Sequence, residues 1–247
     1  MDMNLINRYG NIIKDLELFT HFHDVKIKAR YDSNFILLKN LPTLHELIEL
    51  ENYLRGYHHS YGQNHLKFIF PPNKKIPNDL TSYIKNRGYD EALLEMYSVF
   101  PNEFQGNLDC TNVCFVTEEN LEDFLELQYM EDLRFGLTYA NEKVPFLKSL
   151  FLREDYTAAI IYEGNEAVGS VELIIKSHSV EIDNLFIKEP YRKKGYATRL
   201  QAFVMKNFSN KQIILVADGE DTPKQMYQKQ GYKLVGFQYE ILKIGFI

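Results

Sequence analysis

The sequence from Val180 to Leu200, VEIDNLFIKEPYRKKGYATRL, constrains this chain more than any other stretch. Its first eight residues alternate with period two, which predicts a strand with Glu181, Asp183, Leu185 and Ile187 on one face and Val180, Ile182, Asn184 and Phe186 on the other. Pro190 stops the strand, and beyond a basic turn Tyr196, Leu200, Phe203, Val204 and Asn207 or Phe208 recur at helical spacing. The first amides of that helix have no intrahelical acceptor and sit at the positive end of its macrodipole, while Gly195 and Ala197 let an anion approach the backbone. Arg192, Lys193 and Lys194 add three positive charges, so the junction suits a ligand with several phosphates.

Such a site has to be local. The formal net charge is −6, so the overall field repels a polyanion, and three clustered cations are too small a footprint for nucleic acid. The 247 residues, 45% of them hydrophobic, exclude a disordered chain and fit one large domain or two small ones. No apolar run approaches the roughly 20 residues that cross a bilayer, and the start Met1-Asp2-Met3-Asn4 lacks a basic n-region and an apolar h-region, so a cytoplasmic protein without a membrane partner is expected. Cys110 and Cys114 have no second pair or nearby histidine, which predicts free thiols and no metal site.

Phe100 to Asn107 carries Pro, Gly and Asn without periodicity and reads as a linker, giving domains 1–104 and 105–247. In the second, Asn112 to Thr117 is predicted as a strand. Thr117 is expected to cap a helix with Glu118 and Glu119 in its first turn and Leu121, Phe124, Leu125 and Gln128 on one face. A second helix is expected from Glu142 to Leu152, followed by a hairpin of Thr157 to Tyr162 with Ala167 to Ile175. Ile213 to Ala217 reads as a buried strand, Pro223 to Gln230 as a helix ended by Gly231, and Tyr232 to Lys243 as a hairpin or bent strand pair.

Taken together, the strand with Pro190, the R-x-x-G-x-A segment from Arg192 to Ala197, and Met226-Tyr-Gln-Lys-Gln-Gly-Tyr232 resemble the GNAT superfamily of acetyl-CoA-dependent N-acetyltransferases, over residues 110 to 243. The resemblance implies an α+β fold with a central, mostly antiparallel, twisted sheet flanked by helices. It implies that pantetheine pairs with the backbone of Leu185, Phe186 and Ile187, and that pyrophosphate takes amides from Arg192, Lys193, Lys194, Gly195, Tyr196, Ala197 and Thr198. It also implies that a backbone amide at the end of that strand polarises the thioester carbonyl, as a small oxyanion hole, and that Tyr227 protonates the departing thiolate. Glu181 matches the general-base position of some members, with Asp183 sharing its face. The expected co-substrate is acetyl-CoA and the acceptor a primary amine, on a small molecule or a protein. Two departures stand out: Glu220-Asp221 where the family often has Asn, and Gly231-Tyr232 for Gly-Phe. A binding module that keeps the cradle and senses acyl-CoA is the alternative, and a homodimer is one option among oligomeric states.

The first half has a comparable order. Asn34 to Lys39 reads as a strand, Leu44 to Tyr57 as a helix, His65 to Phe70 as a strand, Leu80 to Asn86 as a helix, and Gly88-Tyr89 opens another strand pair. A degenerate GNAT-like repeat, or another α+β module, is expected there, with Leu41 to His45 in place of a phosphate loop. His58-His59 is expected at an exposed helix end, since adjacent residues do not face the same way.

Overall fold

The computed structural model describes residues 3–219 and 223–245 and divides the chain into two units. One comprises residues 1–95, 218–220 and 236–247, the other residues 96–217 and 221–235. In the first unit, β1 (Asn11–Asp15), β2 (Phe19–His23) and β3 (Phe35–Leu38) form an antiparallel meander. Helix α1 (Leu44–Ser60) then crosses to β4 (His65–Ile69), which runs parallel to β3. Helix α2 (Asn78–Asn86) and β5 (Asp90–Val99) follow, and β5 passes from one unit into the other. Leu47, Leu50 and Leu54 of α1 and Leu80 and Ile84 of α2 bury their apolar stripe with Ile36, Leu66 and Phe68 of the strands.

The N-terminus of α1 is closed by its own side chains. Thr43 Oγ1 accepts from the Glu46 amide at 3.3 Å, and Glu46 accepts from the Thr43 amide at 2.7 Å, a complete capping box. The helix thus begins with a carboxylate of its own at the N-cap amide.

His58 is fully buried, against the sequence expectation of an exposed helix end; only His59 is exposed. The two diverge as adjacent helical residues must, and the α1 stripe takes His58 inward. It joins a buried set with His21, His23 and His65, whose rings lie 6.3, 6.1 and 4.5 Å from that of His58. Tyr57 stands edge-on to His21 at 4.6 Å and to His23 at 5.0 Å. His58 Nδ1 donates to His65 O at 2.6 Å and His65 Nε2 to Asn34 O at 2.9 Å, so each ring has one N–H engaged, while burial disfavours the charged form of both.

The second unit contains β6 (Val113–Phe115), α3 (Leu121–Asp132), α4 (Leu137–Leu150), β7 (Tyr156–Glu163), β8 (Glu166–Ile175), β9 (Ser179–Ile187), α5 (Tyr196–Asn207), β10 (Gln212–Asp218), α6 (Pro223–Lys229) and the start of β11 (Lys233–Ile244). Its sheet order β10-β9-β8-β7-β6 is antiparallel except for the β9–β10 pair, as expected for the fold class. The apolar face carries Ala159, Ile161, Val171, Leu173, Val180, Ile182 and Ile187, covered by Tyr196, Leu200 and Val204 of α5. The rest of β11 pairs antiparallel with β4 in the first unit.

Three boundaries differ from the sequence reading. Helix α3 starts at Leu121, because Thr117 to Asn120 forms a turn in which Asn120 Oδ1 accepts from the Thr117 amide at 2.7 Å. Helix α4 starts five residues before Glu142 and runs through Pro145. The expected terminal hairpin is one continuous strand, β11. The segment after β5 is anchored to the second unit: Phe104 is buried in its core and the Gln105 amide donates to Gln230 O at 2.9 Å.

Gly231 ends α6 as predicted. Its φ is +89°, its amide donates to Gln228 O at 3.1 Å, and the Tyr232 amide donates to Tyr227 O at 3.0 Å, a Schellman ending. A Cβ there would lie 2.5 Å from Glu103 O. Gly231→Ala should therefore destabilise the chain by about 2 kcal/mol or more, through left-handed strain and this backbone clash, read as a lower urea midpoint.

Candidate active site

The site grows from the end of β9. That strand pairs in parallel with β10 only from Ser179 to Ile182, against Gln212 to Leu215, although β9 continues to Ile187 and β10 to Asp218. Among the described residues no further pair joins the two strands, so the edge of β9 from Asp183 onward is open toward β10. On its other edge β9 remains paired with β8 up to Ile187.

A β-bulge shapes this open segment. Phe186 faces Ser170 and Asp183 faces Glu172, so two β9 residues, Asn184 and Leu185, oppose Val171 alone. Asn184 takes φ +43°, a conformation that Asn tolerates better than other side chains. The bulge overturns the predicted alternation. Ile187 lies in the apolar core with Val180 and Ile182, while Phe186 shares the face of Asp183. Glu181 and Asp183 do share a face, and Glu181 is buried there, paired in register with Ile174 and Ile214.

After Ile187 the chain turns through Glu189–Tyr191 into α5. Arg192 donates from Nε to Ile187 O at 3.0 Å and from its amide to Glu189 O at 3.2 Å, so it braces the turn. Lys193, at φ +60°, and Gly195, at φ +89°, bend the backbone. The amide of Arg199, bonded to Gly195 O at 3.1 Å, is the first of α5 to find a backbone acceptor; none of the described residues accepts from the amides of Lys193 through Thr198. No acidic residue and no side-chain cap occupies the first turn, and a Cβ on Gly195 would meet open space. Lys193 and Lys194 are exposed, with the Lys194 ammonium 5.1 Å from the Tyr191 ring centre. The Tyr196 side chain turns inward and its hydroxyl donates to Glu163, so only its backbone faces the turn.

Tyr227 is half-buried, its ring 6.0 Å from Tyr97 and 5.6 Å from Tyr232. Its helix is tied to the first turn of α5 where Gln230 Nε2 donates to Thr198 Oγ1 at 3.2 Å. Glu220 and Asp221, the departure noted in the sequence, lie outside the described residues.

The sequence reading missed a polar network on the other face of the sheet, beneath α3 and α4. Gln128 donates to Ser170 Oγ at 2.7 Å and accepts from Asn184 Nδ2 at 2.7 Å and Lys143 Nζ at 3.3 Å. Glu172 accepts from Asn184 Nδ2 at 2.8 Å and from the Tyr156 hydroxyl at 2.9 Å, and Lys143 pairs with Asp132 at 3.0 Å. Gln128, Asp132, Lys143, Ser170 and Glu172 are all buried. Burial pushes the Asp132 carboxyl up, although Lys143 opposes this. The one visible sign in the sequence is Gln128, a polar residue within an apolar helical stripe.

Comparison with known proteins fits this geometry. Residues 134–246 match the family model described as Acetyltransferase (GNAT) domain, and residues 1–97 match Domain of unknown function (DUF5613). No curated protein matches the chain. A functionally unknown conserved protein from Staphylococcus epidermidis is similar over 99% of this chain and 98% of its own, at 29% identity and TM-score 0.90. A GCN5-related N-acetyltransferase from Kribbella flavida shares the fold over 96% of this chain and 91% of its own, at 13% identity and TM-score 0.67. Another from Sphaerobacter thermophilus covers 80% of this chain and 68% of its own, at 12% identity and TM-score 0.54. Over residues 134–246 the chain matches the GNAT acetyltransferase domain, and both the open end of β9 and the run of amides from Lys193 to Thr198 lie within that match.

Proposed function

We propose that the second unit binds acetyl-CoA and transfers its acetyl group to a primary amine by direct attack. The observation that carries this reading is the run of six amides from Lys193 to Thr198 from which none of the described residues accepts, one turn beyond the open edge of β9. Pyrophosphate would take these amides, with Lys193 and Lys194 beside it, and pantetheine would pair along Leu185, Phe186 and Ile187. At the N-terminus of α1 in the first unit, by contrast, the capping box already engages the Thr43 and Glu46 amides.

In the reaction the neutral amine nitrogen attacks the thioester carbonyl carbon, the C–S bond breaks, and CoA leaves as a thiolate. An alkyl amine is only about 0.04% neutral at pH 7, so a base is needed. Glu181, on the same face as Asp183, takes the amine proton in this reading, and the two carboxylates favour a cationic acceptor on a small molecule or a protein. The Tyr227 hydroxyl gives its proton to the thiolate. Tyr227→Phe should lower acetyl-CoA turnover on a panel of amines by roughly 100-fold or more while leaving CoA affinity intact, measured by thiol release and calorimetry. Saturable CoA binding with no turnover on any amine would favour an acyl-CoA sensor instead.

A further inference from the structure

We infer that Asn184 is a positioning residue of the thioester site, held by Gln128 and Glu172 so that the bulged segment of β9 keeps the backbone geometry that polarises the thioester carbonyl. The inference rests on the coenzyme reading above and deepens it. Asn184 stands where the strand leaves its regular register, and its backbone has the left-handed φ of +43°. A bulge alone requires only such a φ, which glycine would supply at less strain. Asn184 adds something glycine cannot: its Nδ2 donates to Gln128 Oε1 at 2.7 Å and to Glu172 Oε1 at 2.8 Å, spanning α3 and β8.

Both acceptors are themselves fixed. Gln128 is oriented by Ser170 and Lys143, and Glu172 by the Tyr156 hydroxyl, within a region closed by the Lys143–Asp132 pair. Asn184 is the exposed end of this otherwise buried network, at the open edge of β9. A well-connected polar network of this kind is rigid, because leaving any buried member unpaired is costly. Rigidity matters here because a backbone donor stabilises a developing oxyanion only if it is already aimed at it. The Asn184 amide is committed to Asp183 Oδ1 at 2.9 Å, which further fixes the turn of the chain into Leu185.

The test is isotope-edited infrared spectroscopy of carbonyl-labelled acetyl-CoA bound to the full chain, with CoA affinity measured in parallel. The wild-type chain should lower the thioester C=O stretch relative to free acetyl-CoA. Asn184→Gly, which keeps the allowed φ but removes the grip, should return the band toward its free position with CoA affinity changed less than about twofold. Gln128→Leu should act in the same direction, and the double variant should move the band no further than either alone. An unshifted band in the wild type, or an Asn184→Gly band identical to the wild type, overturns the inference while leaving the cradle standing. Failure of the wild-type chain to bind CoA overturns both the inference and the coenzyme reading.

Discussion

Acidification from pH 7 to pH 5 is expected to unfold the first unit. Burial pushes His21 down to about 3 and His58 down to about 4; it also holds His65 down at about 3, and His23 below its ordinary value. The surroundings reinforce this for most of the set. Tyr53 and Tyr57 face His21 without charge, Lys14 lies near it, Lys67 disfavours a charged His65, and Lys28 a charged His23; against these, Asp24 and the Gln63 carbonyl oxygen favour charging His23, and the carbonyls of His65 and Asn34 favour charging His58 and His65, but burial outweighs them.

Folded-state values below the unfolded value near 6.5 mean that the unfolded chain binds protons the folded chain refuses. Stability is therefore full above about pH 6.5 and is lost as pH falls from there toward 4. Each such proton costs about 1.4 kcal/mol per pH unit, so three histidines give a slope of about 4 kcal/mol per unit, enough to exhaust an ordinary folding free energy within about two units. Urea midpoints followed by circular dichroism at pH 7, 6 and 5 check this. His58→Gln, which keeps a donor for His65 O and cannot titrate, should reduce the slope by about one proton. Midpoints that stay level between pH 7 and pH 5 would show that the four rings titrate normally.

The second large effect concerns coenzyme binding. Gly195→Val should reduce CoA affinity by about 100-fold or more in calorimetric titration. Two causes act together. A β-branched residue at φ +89° is strained by about 1–3 kcal/mol and tends to relax the turn out of shape. The added side chain also projects from the turn where phosphate oxygens must approach the amides, since the space beside Gly195 is open. Because a Cβ at Gly195 meets no atom of the fold within 4 Å, the thermal midpoint of the variant should fall only modestly, by the backbone strain, which separates lost binding from lost folding.

The fold was legible in the sequence wherever hydrophobic period and punctuation agreed. The β7–β8 hairpin, the β9 strand, α5 and the Gly231 cap lie where alternation, Gly195 and the glycine ending put them. Alternation failed at Asn184 because a bulge inserts one residue without changing composition, so the faces past it exchange and Ile187 enters the core. The start of α3 was misplaced because Thr117 and Asn120 are both good caps, and only the bond between them shows which one begins the helix. The cradle could be read because its chemistry is local in sequence. The Gln128–Glu172–Asn184 network could not, since it joins residues from three separate elements that meet only when the sheet and α3 are assembled. His58 was misjudged for the same reason: its burial depends on β2 and β4, and β2 had no clear signal of its own.

The most direct measurement is a crystal structure of the full chain with CoA bound. The expected result is a pyrophosphate within hydrogen-bond distance of the amides between Lys193 and Thr198, with pantetheine along Leu185 to Ile187 and its sulfur directed toward the bulge at Asn184. A CoA molecule bound elsewhere, with those amides unoccupied, would contradict the assignment of this turn as the coenzyme cradle.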